Sequence, residues 1–252
     1  MNYLIGDIGN TSLKICKINN KFRIVKTFLF RTKSVYLEKE LKKKINQFTK
    51  NDTCNKILFS SVVPNVYRKI DKIFRKKNFK IFEIKKFALN KLLKFKVKRY
   101  SQLGSDRIAN AIGAYYKFKT NCIVIDFGTA TTFDVIKKPG MYDGGVITPG
   151  IALSIENLFS STALLPTFKL KKYPTNYGKN TKEALNSGFF WGYQGLINNI
   201  VKKIIKKNNK NFKIILTGGY SNFFKDKIFK QATIEKDITI QGILKVYRKF
   251  LI

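Results

Sequence analysis

Apolar and polar residues alternate along the first part of the chain with the period of two that is typical of β-strands. Residues 3–5 are apolar, the segment Gly6-Asp7-Ile8-Gly9-Asn10-Thr11 follows, and Leu13 and Ile15 then lie on one side of a second alternating run. The pattern predicts a β-hairpin with an acidic residue and a glycine at its tight end. A third strand is predicted over residues 22–31.

Helical and extended patterns alternate over the rest of the chain, which predicts an α/β fold. Helices are predicted over residues 35–48, 64–77, 108–118, 151–160 and 182–206 and near the C-terminus, and strands over residues 56–60, 79–84, 121–136, 141–147 and 212–216. In the first helix the apolar positions include Leu37. For the long helix the spacing predicts an inward face of Leu185, Phe189, Leu196, Ile200 and Ile204.

A second segment repeats the pattern of the first hairpin. Residues 123–136, IVIDFGTATTFDVI, again run from an apolar strand into Asp-x-Gly, with Asp126, Gly128 and Thr129 in the corresponding places. The repeat predicts two related halves, residues 1–118 and residues 119–252. Two such hairpins facing each other across a cleft could hold a nucleotide between them.

The residue types at the first hairpin suit phosphate. Gly9 lets the backbone approach a ligand closely, and Asn10, Thr11 and Ser12 add side-chain donors to the main-chain N–H groups. Asp7 can hold Mg²⁺, directly or through water, because that ion prefers oxygen ligands and keeps several waters. The alternative is an ordinary turn that contains an aspartate.

The formal net charge of +35 is the most extreme property of this 252-residue chain. A basic excess attracts nucleic acid and anionic surfaces. The lysines, however, are spread along the whole chain, and they far outnumber arginine, which is the better fork for phosphate. We interpret the charge as the compositional bias of an AT-rich genome, and we expect neither nucleic acid nor a membrane as a partner.

Cysteine usage and hydropathy predict a cytoplasmic protein. Cys16, Cys54 and Cys122 are scattered without metal-ligand spacing, which favours a reducing compartment. The sequence contains no run near the roughly 18 apolar residues of a membrane span. The first residues also lack the pattern of a signal peptide.

The paired Asp-x-Gly hairpins resemble the phosphate motifs of the actin-like ATPase superfamily, which includes acetate and sugar kinases and Hsp70. The resemblance implies two actin-like, ribonuclease H-like domains with ATP in the cleft between them. Further motifs are LGSDR at residues 103–107, DFGTATTFDV at 126–135, GGVITPGI at 144–151 and TGG at 217–219. In this order, and with DIGNT at residues 7–11, the chain is similar to type III pantothenate kinase.

This resemblance implies that ATP phosphorylates the 4′-hydroxyl of pantothenate, the first step of coenzyme A biosynthesis. It implies a homodimer, with the substrate site near the subunit contact, and a potassium or ammonium ion at Asp126. The implied ATP-binding residues are Asp7, Ile8, Gly9, Asn10, Thr11, Ser12, Leu13, Lys14 and Thr129. The implied substrate-binding residues are Tyr100, Gly104, Ser105, Asp106, Arg107 and Thr181. The family's Tyr-Asn-Pro-like segment is replaced here by Arg99-Tyr100-Ser101-Gln102-Leu103, which is shorter and lacks the proline.

Asp106 and Arg107 also fit this chemistry by their residue types. Transfer of phosphate to an alcohol benefits from a base at the attacking oxygen, worth about 10²–10⁴-fold in rate, and the chain has no histidine. Asp106 is therefore the predicted base, and Arg107 offers a fork for the carboxylate of pantothenate. The alternatives are that Asp106 or Ser105 only caps the following helix and that Arg107 makes a surface salt bridge.

Three other functions are alternatives to this prediction. They are a relative that acts as a transcription accessory factor, another small-molecule kinase of the superfamily, and a nucleic-acid-binding protein. Asp7, Asp106, Arg107, Asp126 and Thr129 are all present, which argues against a relative that has lost activity. Tests of other acceptors separate the second alternative, and steeply salt-dependent nucleic-acid binding separates the third.

Overall fold

The computed structural model of the chain describes residues 2–36, 38–50, 54–228 and 230–252. The strands are β1 (Tyr3–Ile8), β2 (Ser12–Ile18), β3 (Ile24–Arg31), β4 (Lys56–Ser61), β5 (Lys80–Glu83), β6 (Lys94–Phe95), β7 (Cys122–Phe127), β8 (Ala130–Lys137), β9 (Met141–Pro149), β10 (Lys213–Gly218) and β11 (Ala232–Ile234). The helices are α1 (Glu38–Thr49), α2 (Pro64–Arg75), α3 (Ser105–Phe118), α4 (Ile151–Ser160), α5 (Thr181–Asn208), α6 (Ser221–Phe224) and α7 (Ile238–Phe250).

Five strands form the first sheet, in the order β3-β2-β1-β4-β5. The strands β1, β2 and β3 are antiparallel neighbours, whereas β4 runs parallel to β1 and β5 runs parallel to β4. The predicted β1–β2 hairpin is therefore confirmed. The register places Asp7 beside Lys14 of β2 and Ser60 of β4, at the end of the sheet where β1 and β4 finish.

The second sheet repeats this order of strands as β9-β8-β7-β10-β11, and β6 pairs with the first residues of β9. The strand β8 is antiparallel to β7, whereas β10 is parallel to β7 and β11 is parallel to β10. The register places Asp126 beside Thr132 of β8 and Thr217 of β10. The repeated motif of the sequence therefore belongs to a repeated topology, and the predicted α/β class is confirmed.

The chain divides into two compact units. The first comprises Met1–Lys119, Gly140–Tyr142 and Asp237–Ile252, and the second comprises Thr120–Pro139 and Asp143–Lys236. This division differs from the predicted halves, residues 1–118 and 119–252, because the C-terminal helix α7 belongs to the first unit. The buried residues of α7 pack on α3, β1 and β4. Among the helices that the structure describes, none combines the length and the apolar character needed to cross a membrane.

The inward face predicted for the long helix α5 is displaced from the face that is most deeply buried, although Phe189, Leu196, Ile200 and Ile204 do pack against the edge of the core. The residues that α5 buries are Asn186, Ser187, Phe190, Tyr193, Ile197 and Val201. The predicted residues, Leu185, Phe189, Leu196, Ile200 and Ile204, are only partly buried. Apolar residues occupy adjacent positions along α5, so two overlapping stripes fit the helical period, and hydropathy cannot choose between them.

The first predicted helix begins later than expected. A 3₁₀ turn over Thr32–Tyr36 precedes α1, and Val35 is buried in that turn rather than in the helix. Leu37, which contributed to the predicted helical pattern, lies outside the described residues. The short strands β6 and β11 were not predicted, since two or three residues are too few to show a period.

Candidate active site

The turn between β1 and β2 presents polar side chains to solvent. Asn10, Thr11 and Ser12 are exposed, and the N–H of Gly9 donates a hydrogen bond to the carbonyl of Ser12 over 2.9 Å. We call residues 7–14, which include this turn, the phosphate segment. Its exposed hydroxyl and amide groups provide the donors that a phosphate ligand requires.

Thr32 stabilises this turn by hydrogen bonds to two backbone carbonyls of the turn. The Oγ1 atom of Thr32 donates to the carbonyl of Gly9 over 2.7 Å, and its N–H donates to the carbonyl of Thr11 over 3.0 Å. The Thr32 side chain is buried. One residue beyond β3 therefore fixes the conformation of the turn without using the exposed side chains at its tip.

Ile8 and Leu13 take part in the phosphate segment only through their backbones. Both side chains are fully buried in the apolar core of the first unit, together with those of α1 and α2. Only their N–H and carbonyl groups can therefore reach a nucleotide. The predicted role of these two residues is limited to main-chain contacts.

An ion pair ties the phosphate segment to the C-terminal helix. The Nζ atom of Lys14 lies 2.6 Å from Oδ1 of Asp237, the residue that precedes α7. The two side chains are 26% and 42% exposed, so the surrounding water screens their attraction. The pair restrains the side chain of Lys14, the residue that is paired with Asp7 in the β1–β2 register.

The helix α7 is in turn packed closely on α3. A Cβ atom at Gly242 would collide with the carbonyl oxygen of Ala109, so this approach requires glycine. In addition, Oγ1 of Thr239 donates to Oδ1 of the buried Asn110 over 2.6 Å. Because α3 carries Asp106 in its first turn, α7 connects Lys14 with the helix of the predicted base.

Residues 100–107, which we call the acceptor segment, lead into α3. Gly104 is the N-cap residue of the helix, and no side chain makes a capping hydrogen bond there. The hydroxyl of Ser105 instead donates to Oε1 of Glu83 over 2.6 Å. Ser105 and Asp106 therefore do not occupy the N-cap position, because both lie inside the helix, although Asp106 does accept a first-turn N–H.

Asp106 is a partly buried carboxylate with a backbone donor. Its Oδ1 atom accepts the N–H of Arg107 over 2.7 Å. Burial raises the pKa of Asp106 above its usual value, and the N–H and charge of Arg107 only partly oppose this. A Cβ atom at Gly104 would collide with Oδ1 of Asp106, so the glycine makes room for the carboxylate. A raised pKa brings a carboxylate closer to the range that suits a general base at neutral pH.

Two aromatic rings flank the other predicted substrate residues of the first unit. The guanidinium carbon of Arg107 lies 6.0 Å from the ring centre of Tyr142. The ring centres of Tyr100 and Phe95 are 4.9 Å apart. Burial and the charge of Glu83 raise the pKa of Tyr100, so its phenol remains protonated and able to donate a hydrogen bond at neutral pH.

Val62 connects the phosphate segment and the acceptor segment. Its N–H donates to the carbonyl of Ile8 over 3.1 Å, and its Cγ1 atom lies 3.5 Å from the place of a Cβ atom at Gly104. Both segments therefore lie at the end of the first sheet where β1 and β4 finish. The first unit alone thus brings Asp7 and Asp106 to the same end of its sheet.

A cavity of about 470 Å³ adjoins the acceptor segment. Its wall includes Gly104 and Ser105, together with the basic side chains of Arg68, Lys85 and Lys86. A concave site lined by cationic groups favours an anionic ligand.

The corresponding turn of the second unit lies between β7 and β8. Asp126 is partly buried near the end of β7, and Thr129 is exposed in the turn. Gly218 approaches this turn with φ of +84°, and a Cβ atom there would lie 2.7 Å from Oδ1 of Asp126. The N–H of Gly219 donates to the carbonyl of Phe127 over 3.1 Å. The Thr-Gly-Gly motif therefore packs directly against the Asp126 turn.

Thr181, the last predicted substrate residue, is the first residue of α5 and is exposed. It belongs to the second unit, whereas the other predicted substrate residues belong to the first. Thr181 lines an apolar groove of about 610 Å³ together with Leu185, Phe189, Tyr193 and Leu196. Three of these apolar residues, Leu185, Phe189 and Leu196, belong to the stripe predicted to face inward and are partly buried.

The donor set at each turn suits hard cations. Among the described residues, no three His, Cys, Asp or Glu side chains cluster in a way that could hold a metal ion. Asp7 and Asp126 each precede a turn that contains hydroxyl or amide side chains, and the metal-binding atoms of all these side chains are oxygen atoms. Such a set fits a largely hydrated Mg²⁺ or a monovalent ion better than a transition metal.

The sequence patterns did not predict four residues of the site: Thr32, Glu83, Lys85 and Asp237. Glu83 and Asp237 belong to a chain with 15 acidic and 50 basic residues. The small number of acidic residues is therefore a sequence feature that points to Glu83 and Asp237, because each carboxylate in such a chain has many possible cationic partners. No local pattern points to Thr32 or Lys85, since their hydrogen bonds go to backbone carbonyls distant in sequence.

The sequence model of a family described as type III pantothenate kinase matches residues 3–203. A type III pantothenate kinase of Pelagibacter ubique (strain HTCC1062) is 48% identical over 243 residues, which are 96% of this chain and 97% of that protein. A type III pantothenate kinase of Desulfosudis oleivorans is 35% identical over 247 residues, covering 95% of this chain and 96% of that one.

Two solved structures share the fold. A conserved Campylobacter jejuni protein, assigned to a Baf family of transcriptional activators, aligns with a TM-score of 0.61 at 24% identity, over 98% of both chains. The activator of 2-hydroxyisocaproyl-CoA dehydratase from Clostridium difficile, with bound ADPNP, aligns with a TM-score of 0.55 at 10% identity, over 99% of this chain and 95% of that one. The predicted actin-like fold is thereby confirmed.

Proposed function

The chain belongs to the type III pantothenate kinase family, and on that premise we propose a role in the reaction for each residue of the site. Membership makes the chain an ATP-dependent kinase that phosphorylates pantothenate. The observation that best supports our assignment of residues is the contact of Val62 with both the phosphate segment and the acceptor segment.

Asp106 is the general base in this proposal. The 4′-hydroxyl of pantothenate gives its proton to the Asp106 carboxylate as its oxygen bonds to the γ-phosphorus of ATP. The bond from that phosphorus to the bridging oxygen breaks, and ADP leaves with the electron pair. The raised pKa of Asp106 supports the role, because a stronger base accepts the proton more readily.

The acceptor is held by the rest of the acceptor segment and by Thr181. Arg107 pairs with the carboxylate of pantothenate through its planar fork of donors. Tyr100, Gly104 and Ser105 line the acceptor, and the protonated phenol of Tyr100 donates a hydrogen bond. The basic wall of the adjoining cavity attracts the same carboxylate.

The nucleotide is held by the phosphate segment and by Thr129. Main-chain N–H groups at the tip of the turn and the exposed side chains of Asn10, Thr11 and Ser12 donate to phosphate oxygens, while Lys14 adds a positive charge. Asp7 is the residue that would hold Mg²⁺, which when bound neutralises charge on the phosphates. Asp126 would hold a monovalent cation, potassium or ammonium, for the same electrostatic reason.

The proposal includes a homodimer in the cytoplasm. The apolar groove along α5, which contains Leu185, Phe189 and Leu196, is a surface that a second copy of the chain can cover. A dimer through this face places a subunit contact beside Thr181. Three free, buried thiols are compatible with a reducing compartment.

The decisive experiment measures ADP release by the purified protein with ATP and pantothenate, with and without potassium. We expect turnover that requires pantothenate and rises with potassium, together with a product that carries phosphate on the 4′-oxygen. Turnover with another alcohol in preference to pantothenate would contradict the substrate assignment. Light scattering tests the dimer, and Leu185→Glu, which puts a charge into the groove, is expected to give monomers.

A further inference from the structure

Two charged residues at the end of β5 are attached to the acceptor segment at several points. The Nζ atom of Lys85 donates to the carbonyls of Ser101 and Leu103, over 2.8 and 3.0 Å. Glu83 accepts the hydroxyl of Ser105 through Oε1 over 2.6 Å. Its second oxygen, Oε2, accepts the N–H of Lys85 over 2.7 Å, so Glu83 and Lys85 are also hydrogen-bonded to each other.

These attachments leave the acceptor segment few alternative conformations. Lys85 binds carbonyls on both sides of Gln102, and Glu83 binds Ser105, the first residue of α3, which is 2% exposed. The Lys85 ammonium also lies 6.0 Å from the ring centre of Tyr100. The residues held in this way immediately precede Asp106 and Arg107, so any displacement of the segment is passed on to them.

Glu83 occupies this position at an energetic cost. Burial raises the pKa of its carboxyl, and the hydrogen bonds from Ser105 and from the Lys85 backbone, with the charges of Lys85 and Lys86, only partly oppose this. A partly buried carboxylate is favourable only where its hydrogen bonds are made. The bonds that Glu83 makes are those that fix the acceptor segment.

We propose that Glu83 and Lys85 are positioning residues for the acceptor, holding residues 100–105 in the conformation that binds pantothenate. Neither residue needs to touch the reacting atoms. The inference rests on the proposed function, because it assigns a role to the segment in binding pantothenate. It predicts that loss of either residue weakens acceptor binding selectively and leaves nucleotide binding intact, since the phosphate segment is fastened separately by Thr32 and Asp237.

The test compares Lys85→Met, Glu83→Ala and Glu83→Gln with the parent in steady-state assays in which pantothenate and ATP are varied separately. We expect KM for pantothenate to rise about ten- to a hundredfold in Lys85→Met and Glu83→Ala, as small displacements of positioning groups do. KM for ATP and kcat should stay within about twofold. Lys91→Met, which removes an exposed lysine of the neighbouring 3₁₀ turn, is the matched control and should behave as the parent.

Glu83→Gln gives a graded test in case Glu83→Ala fails to fold. Its amide oxygen can still accept from Ser105, but its amide nitrogen cannot accept the N–H of Lys85. The rise in KM for pantothenate should therefore be smaller than in Glu83→Ala. Because Glu83 and Ser105 act through one shared bond, Glu83→Ala and Ser105→Ala together should raise KM by less than the product of their separate effects.

Two results would overturn the proposal. One is an unchanged KM for pantothenate in Lys85→Met and Glu83→Gln, and the other is an equal rise in KM for both substrates, which indicates general damage to the fold. Both differ from failure of the proposed function, in which the parent itself turns over no pantothenate.

Discussion

Replacement of Asp106 by asparagine separates catalysis from stability more cleanly than any other change in this chain. Asparagine has nearly the same shape and keeps an Oδ1 atom that can accept the N–H of Arg107, which Asp106 accepts over 2.7 Å. It cannot take a proton from an alcohol. We therefore expect kcat to fall about 10²–10⁴-fold, which corresponds to about 2.7–5.5 kcal/mol of transition-state stabilisation.

The free energy of unfolding should change little or rise at neutral pH. Burial raises the pKa of Asp106 in the folded state, so folding favours its protonated form. The stability that this provides is present below the unfolded pKa and is lost as the pH rises through the higher folded pKa. At neutral pH the ionised carboxylate therefore opposes folding, and asparagine removes that penalty. Asp106→Ala also loses the acceptor for Arg107, which is worth about 1 kcal/mol.

The assay is steady-state ADP release at saturating ATP and pantothenate, accompanied by thermal unfolding of each variant. In the parent, kcat should fall on the acidic side as the base becomes protonated, at a pH above the usual range of an aspartate. That acidic limb should be absent from the residual activity of Asp106→Asn. A kcat for the Asn variant within a few-fold of the parent would refute the reasoning and leave Asp106 only a structural acceptor for the first turn of α3.

The remaining predictions concern parts of the site on either side of Asp106. Asp237→Asn should raise KM for ATP, because Lys14 loses the carboxylate that orients it, while the unfolding free energy falls by less than about 1 kcal/mol, since the pair is partly exposed. Asp126→Asn should abolish activation by potassium in a titration at fixed ATP; a titration that matches the parent would exclude Asp126 as the cation ligand. Gly242→Ala should lower the unfolding free energy by about 1–3 kcal/mol, because the new Cβ atom collides with Ala109. Gly195→Ala on α5, where the added methyl meets open space, is its control in thermal unfolding and should not destabilise the protein.

Local patterns were sufficient to predict the hairpins and most helices. The β1–β2 and β7–β8 hairpins were predictable because strand period, turn residues and Asp-x-Gly coincide within a dozen residues. The division into residues 1–118 and 119–252, with a nucleotide in the cleft between halves, stays a prediction. The grouping of α7 with the first unit was not visible in sequence, since it depends on the fit of Gly242 against Ala109.

The buried face of α5 shows where hydropathy fails. Phe189 and Phe190 are adjacent, as are Leu196 and Ile197, so a helical stripe drawn through either member of each pair is equally apolar. Only packing decides which stripe is buried: Phe190 and Ile197 are fully buried, and their neighbours lie at the groove. The sequence does not distinguish the most deeply buried stripe from the partly buried one beside it, because the choice depends on the sheet on which α5 packs.

The backbone of the acceptor segment is restrained although the segment lacks the proline of the family's motif. The run from Arg99 to Leu103 contains no proline, so none of its residues has φ fixed by a ring. The backbone is instead restrained from outside, by the Lys85 ammonium on two carbonyls and by Glu83 on the residue that opens α3. A proline limits the unfolded chain as well as the folded one, whereas these hydrogen bonds exist only after β5 and α3 have come together. Binding of the acceptor in this chain therefore depends on tertiary structure that the motif alone does not contain.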